Sequence, residues 1–266
     1  MLKVQKGLTN RAHQSRKRTN IMKTITFFNN KGGVGKTTSV INIAYEMFRA
    51  GKKVVVIDVD GQQNTSRFFV DIDTPYGTVE KTLITGAEPI IKPTRYSNIG
   101  VITAGNTMNS GIQEFLSLSE NVQSEHVQAL INSIDCDYVL FDLPPALNKI
   151  TNRILSVSNK VYVPIELGSF AIQGITNVMD AIAETETAFG GCFITKYDKH
   201  NPIDSEVVEL LENNLDTSLF NTRIPNSKVI KNSISCRLTA AEYMFWTEAA
   251  KSYLNLLNEI IPTLED

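Results

Sequence analysis

Apolar residues along this chain follow two different periods, and their alternation predicts its architecture. Six short runs are largely apolar and rich in β-branched or aromatic residues, 24–28, 53–57, 99–103, 137–142, 160–165 and 191–195, and a seventh strand is expected at 219–224, where Asn221, Thr222 and Arg223 interrupt the pattern. Such runs suit strands covered on both faces, as in a parallel sheet. Between them the period becomes helical. Ile41, Ala44, Tyr45 and Phe48 return to one face after the first run, and Gly51 stands where a helix stop belongs. Further helices are predicted over 78–84, 111–134, 170–188, 204–215 and 239–260. Within 111–134 the expected buried set is Val122, Val127, Leu130, Ile131 and Ile134, and Asp204 is the expected N-cap of its helix. Gly86, Pro89 and Pro93 mark a loop, while Pro144, Pro145 and Pro225 end strands. Strand and helix in alternation predict an α/β fold with a doubly wound, mostly parallel sheet of about seven strands.

Composition narrows this little. A length of 266 residues with 42% hydrophobic and 20% charged residues suits one large α/β domain with a full core. No repeat or domain-scale linker interrupts residues 23–266, which are expected to form a single domain. No apolar run approaches the roughly 18 residues that span a membrane, and the basic N-terminus carries no apolar segment of the signal-peptide kind. Cys136, Cys192 and Cys236 are far apart and odd in number, so we expect neither disulfide nor zinc site, only small core residues in a reducing, cytoplasmic setting.

Charge is more informative. Residues 1–23 hold Lys3, Lys6, Arg11, Arg16, Lys17, Arg18 and Lys23 and no acid, a charge of +7 that leaves −9 on the rest of a chain whose net charge is −2. An acidic body confines any nucleic-acid contact to a local patch. Residues 1–22 read as a basic, disordered tail. Three accounts of it stand open: a DNA-binding arm, a solvated tail, or a segment upstream of a start at Met22.

Residues 29–38 carry the chemistry. They read Asn-Asn-Lys-Gly-Gly-Val-Gly-Lys-Thr-Thr, between the first strand and the first helix. Gly32, Gly33 and Gly35 let the backbone turn tightly and aim successive N–H groups inward around Val34, and the following helix adds its positive dipole end. A phosphate cradle results. Lys36 would reach the outer phosphates and the Thr37 hydroxyl would ligate Mg²⁺, with Thr38 beside them. Asp142 ends an apolar strand and could hold a water on the same ion. Asp58 and Asp60 stand together at the tip of the second strand, on the sheet edge where ligands bind in open α/β folds.

The loop departs from the common phosphate-binding pattern, with Asn30 where glycine is usual and a second lysine, Lys31, before the glycine pair. In this it resembles the deviant Walker A loop of the ParA/MinD class of ATPases, whose signature residue is that first lysine. The segment at 58–64 resembles the family's Asp-x-Asp-Pro-Gln-x-Asn, with Gly61 in place of proline and Gln62 and Asn64 retained. Residues 141–146 resemble its Asp-x-Pro-Pro-Ser, with Leu143 and Ala146 as variants. The resemblance implies ATP and Mg²⁺ as ligands, Asp60 positioning or deprotonating the attacking water, and Asp58 near the metal. It implies that Lys31 crosses a two-fold interface to the partner's ATP, so that nucleotide is sandwiched in a homodimer. Backbone near Lys196, Asp198 and Pro225 would read the base, and Lys228 and Lys231 would contact DNA nonspecifically.

Three branches of the class fit poorly. The acidic, proline-broken C-terminus is not a basic membrane helix, Cys136 has no cluster partner, and Tyr243 and Tyr253 form no terminal tyrosine cluster. The Soj/ParA partition branch remains, implying a cytoplasmic, nucleoid-associated ATPase released from DNA by a ParB-like centromere-binding protein. The alternative is a P-loop metabolic ligase or reductase acting on a small molecule.

Overall fold

A computed structural model describes residues 21–71, 79–168, 171–215 and 218–265, with backbone alone at 171–174. The first half runs β1 (Lys23–Phe27), α1 (Lys36–Arg49), β2 (Val54–Asp58), α2 (Asn64–Phe69), α3 (Val79–Thr85), β3 (Lys92–Pro93), β4 (Ile99–Ile102), α4 (Met108–Ser117) and α5 (Glu120–Asn132). The second runs β5 (Tyr138–Asp142), α6 (Lys149–Leu155), β6 (Lys160–Glu166), α7 (Ala171–Thr185), β7 (Phe189–Tyr197), α8 (Pro202–Leu215), β8 (Leu219–Pro225), α9 (Lys228–Ser235), α10 (Ala240–Met244) and α11 (Glu248–Thr263).

The unbroken apolar runs do become strands buried on both faces. Along β2, Val55 and Ile57 enter one core while Val54 and Val56 enter the other; β6 divides Val161, Val163 and Ile165 from Tyr162 in the same way. The sheet order is β3-β4-β2-β5-β1-β6-β7-β8, parallel throughout except for the antiparallel pair β3–β4. β1 therefore lies between β5 and β6, and the loop after it opens at the crevice where strand order reverses. β2 and β5 pair with Asp58 opposite Asp142, which puts two carboxylates at neighbouring strand tips.

Several expectations need correction. The sheet has eight strands among the described residues, not seven. The extra one, β3, is a two-residue edge strand containing Pro93, too short to show a period. Helices α2, α6 and α9, six to eight residues long, are not among the helices the sequence pattern predicts. The stretch 239–260 is two helices, because Thr239 closes a capping box on Glu242 and Thr247 caps α11 separately. Between them Phe245 and Trp246 pack edge to face in the open, 68% and 61% exposed. The helical segments expected over 111–134 are α4 and α5, but their inner side holds Gln123 rather than Val122; the Gln123 amide donates to the Leu118 carbonyl. Asp204 lies inside the first turn of α8, which starts at Pro202; its carboxylate accepts the Asp198 amide and the Asn201 side chain. Cys192 is buried and Cys136 partly so, but Cys236 is exposed. The basic tail expected to be disordered lies, over residues 1–20, outside the described residues.

Phe27 fixes the middle of this arrangement. It is fully buried on the central strand, its ring 5.8 Å from that of Tyr162 and 6.0 Å from that of Phe193. Phe27→Ala should cost about 3–5 kcal/mol in urea unfolding, whereas Phe245→Ala at the open turn should change stability by no more than about 0.5 kcal/mol.

Candidate functional site

Tight anchoring lets the glycine loop between β1 and α1 hold an open shape. The Asn29 side chain donates to the Pro164 carbonyl at 2.8 Å and accepts the Lys31 amide at 2.9 Å. Thr195 donates to the Val34 carbonyl at 2.8 Å, which ties β7 to the same loop. Gly33 and Gly35 have φ of 76° and 95°, values that side-chain-bearing residues avoid. Gly35 occupies the N-cap of α1, so no side chain caps that helix, and its first turn contains no acid. Its leading N–H groups are thus left for an anion.

Lys36 lies across the loop. Its ammonium donates to the carbonyls of Asn29 and Lys31 at 2.9 and 3.0 Å. Burial lowers its pKa, while the charges of Asp142 and Asp60 act in the opposite sense. Lys31, by contrast, is exposed, with Nζ 3.5 Å from one oxygen of Glu166; the other oxygen of Glu166 receives Lys196 at 3.0 Å. One carboxylate therefore faces two ammonium groups at the mouth of the loop.

Beneath the loop lie the strand-end carboxylates. Asp142 Oδ2 accepts two hydroxyls, Thr37 at 2.9 Å and Thr65 at 2.6 Å, while its buried Oδ1 has no partner among the described residues. Asp58 differs. Its Oδ2 accepts the amide and hydroxyl of Ser66 at 2.8 and 2.6 Å, and its Oδ1 accepts the Asp60 amide at 3.0 Å. Both oxygens of Asp58 are thus engaged by protein, and the free one belongs to Asp142. Asp60 sits half-buried in a turn, its carboxylate accepting the Gln62 amide at 3.0 Å. Gln63 follows in the left-handed region and donates to Asn106 at 3.2 Å.

Beside the loop opens a cavity of about 270 Å³, with Gly33, Gly35, Thr38, Pro225, Lys231 and Tyr253 in its walls. The site thus gathers the glycine loop, Lys36, Thr37, Asp58, Asp60, Asp142 and Pro225. Lys228 and Lys231 both stand exposed on α9, and Lys231 also borders the cavity. Sequence reasoning missed Thr65, Ser66 and Glu166. Glu166 had a visible signal, an acid ending an apolar strand as Asp142 does; the two hydroxyl residues had none beyond following the Asp60 turn.

One hydroxyl and one buried carboxylate with a spare oxygen fit Mg²⁺, which takes few protein ligands and shares its shell with phosphate and water. Among the described residues no group of three or more His, Cys, Asp or Glu forms a dedicated metal cage, and no helix is long and apolar enough to cross a membrane.

A family model described as an AAA domain matches residues 22–191. The chromosome-partitioning ATPase Soj of Treponema pallidum is 28% identical over 250 residues, covering 90% of this chain and 97% of that protein. Among solved structures, the septum site-determining protein MinD from Pyrococcus horikoshii, complexed with Mg-ADP, aligns with a TM-score of 0.76 at 20% identity, over 91% of this chain and 96% of that one. Cobyrinic acid a,c-diamide synthase from Mycobacterium smegmatis, with ADP and magnesium, gives 0.75 at 21% identity, over 90% and 93%. At these identities the two structures speak to fold alone.

The strand-end carboxylates set a pH dependence. Burial, then the charge of Asp142, raises the pKa of Asp58; burial raises that of Asp142 against the hydroxyls of Thr65 and Thr37. A raised folded-state pKa means that the folded chain holds the proton more tightly, so this stabilisation is complete below the ordinary carboxylate range and is lost as pH rises through the raised values. The melting temperature of the nucleotide-free protein should fall between about pH 5 and pH 8, and Asp58→Asn should flatten that slope. An unchanged slope would show that the pair is not its source.

Proposed function

The chain belongs to this AAA-domain family and is an ATPase of the Soj/ParA class, and from that premise we propose that it is a DNA partition ATPase gated by nucleotide-driven dimerisation. The observation that carries the chemical part is the Thr37–Asp142 pair beneath the glycine loop, with one buried carboxylate oxygen left over. The amides of Gly32, Gly33, Val34 and Gly35 would cradle the phosphates, Lys36 would neutralise them, and Thr37 and Asp142 would hold Mg²⁺. Held there, Mg²⁺ would supply positive charge beside the phosphoryl oxygens. Asp60, on a turn pinned to Asp58 and Asn106, positions the attacking water. Asp58 takes a supporting part, holding that turn and α2 in place. The base lies in the cavity with Thr38 and Pro225 in its walls.

Lys31 supplies the gate. Its pairing with Glu166 is a surface contact, Lys31 being 54% exposed, and such pairs are worth at most about 1 kcal/mol. A phosphate presented by a second copy is a stronger partner for an ammonium. ATP therefore bridges two subunits through each Lys31, and hydrolysis removes the bridge. The dimer carries Lys228 and Lys231 to DNA, and a ParB-like centromere-binding protein triggers hydrolysis and release in a cytoplasmic, nucleoid-associated cycle. The other reading is a P-loop metabolic enzyme, an ATP-dependent ligase or reductase acting on a small molecule. Retention on DNA only in the presence of ATP separates the two.

Lys31→Ala should abolish ATP-dependent dimerisation in light scattering and lower turnover by at least about 100-fold, while ATP binding persists. Normal turnover in that variant would remove the proposed gate. Replacing Lys228 and Lys231 by Ala should reduce the salt dependence of DNA binding by up to about two units. Because Lys231 also lines the cavity, a change in its nucleotide affinity without any change in salt slope would reassign it to the nucleotide.

A further inference from the structure

Asp142 must do more than be present: its carboxylate has to be turned so that one oxygen is spare. A carboxylate swivels readily about its last torsion, and a lone donor from Thr37 would leave it loosely oriented. The structure supplies a second donor on the same oxygen. Thr65, fully buried, gives its hydroxyl to Oδ2 at 2.6 Å, beside Thr37 at 2.9 Å, and Oδ1 is left without a partner among the described residues. Thr65 is itself well fixed. It is β-branched and near the start of α2, and the next residue, Ser66, donates to Asp58 and accepts the Ala104 amide at 3.0 Å. Only four residues separate it from Asp60, across a turn closed by the Gln63 amide on the Asp60 carbonyl at 2.9 Å.

We propose that Thr65 is a positioning residue for Asp142: it orients the metal-binding carboxylate and ties it to the loop that carries Asp60. The proposal rests on the ATP–Mg²⁺ reading above. It requires nothing of Thr65 toward nucleotide directly, so its failure is distinguishable from failure of that reading. A displacement of the Asp60 loop is transmitted to Asp142 through one buried, charge-assisted hydrogen bond, so loop position and metal affinity change together.

Two substitutions separate orientation from packing. Thr65→Val keeps the shape and removes the hydroxyl; Thr65→Ser keeps the hydroxyl. The measurements are affinity for a fluorescent ATP analogue in EDTA, the Mg²⁺ concentration giving half of the metal-dependent change, and the melting temperature of the nucleotide-free protein. Expected for Thr65→Val is unchanged affinity in EDTA with a Mg²⁺ midpoint raised on the order of tenfold, and for Thr65→Ser a midpoint within about twofold of wild type. A Thr65→Val midpoint equal to wild type, even with a lowered melting temperature, reduces Thr65 to packing and overturns the proposal. So does a Thr65→Ser midpoint as high as that of Thr65→Val. A wild-type protein whose nucleotide binding ignores Mg²⁺ removes the underlying reading and this proposal with it.

Discussion

Two carboxylates kept dry and side by side are the constraint on which the rest of the molecule depends. Parallel pairing of β2 with β5 puts Asp58 opposite Asp142 at the sheet edge. Both are fully buried, and isolated charges there would be costly without donors. The fold answers with hydroxyls and amides drawn from α1, from the Asp60 turn and from the start of α2. Those donors satisfy Asp58 completely and Asp142 only by half. The asymmetry leaves a carboxylate oxygen without a partner on Asp142 and none on Asp58 among the described residues.

The glycine loop solves the opposite problem. It must leave backbone donors unsatisfied without collapsing onto them. Asn29, Thr195 and two left-handed glycines hold the loop open from outside, and the absence of an acid in the first turn of α1 keeps its amides free. Lys36 meanwhile rests on two carbonyls of the same loop. The loop and the ammonium laid across it thus hold one another in shape.

The fold was largely legible because its strands are buried on both faces, and unbroken apolar runs as short as 53–57 and 137–142 suit few positions except the middle of a covered sheet. The glycine loop was legible for a related reason: backbone geometry there restricts residue identity. What escaped was structure without a period. A two-residue edge strand, the six-residue helix α2 and the division of 239–260 at Thr247 depend on caps and edges rather than repetition. The hydroxyls of Thr65 and Ser66 escaped because Ser and Thr are common at any helix start, and only the register of β2 against β5 tells which carboxylates they meet.

The open turn between α10 and α11 has a practical side. Trp246 is the chain's single tryptophan and is 61% exposed beside Phe245. Its indole is already largely in water in the folded state, so its emission colour shifts little when the core comes apart. The same fluorophore is well placed to sense anything that settles over that turn. The molecule carries an optical label blind to its own melting and alert to whatever covers this part of its surface.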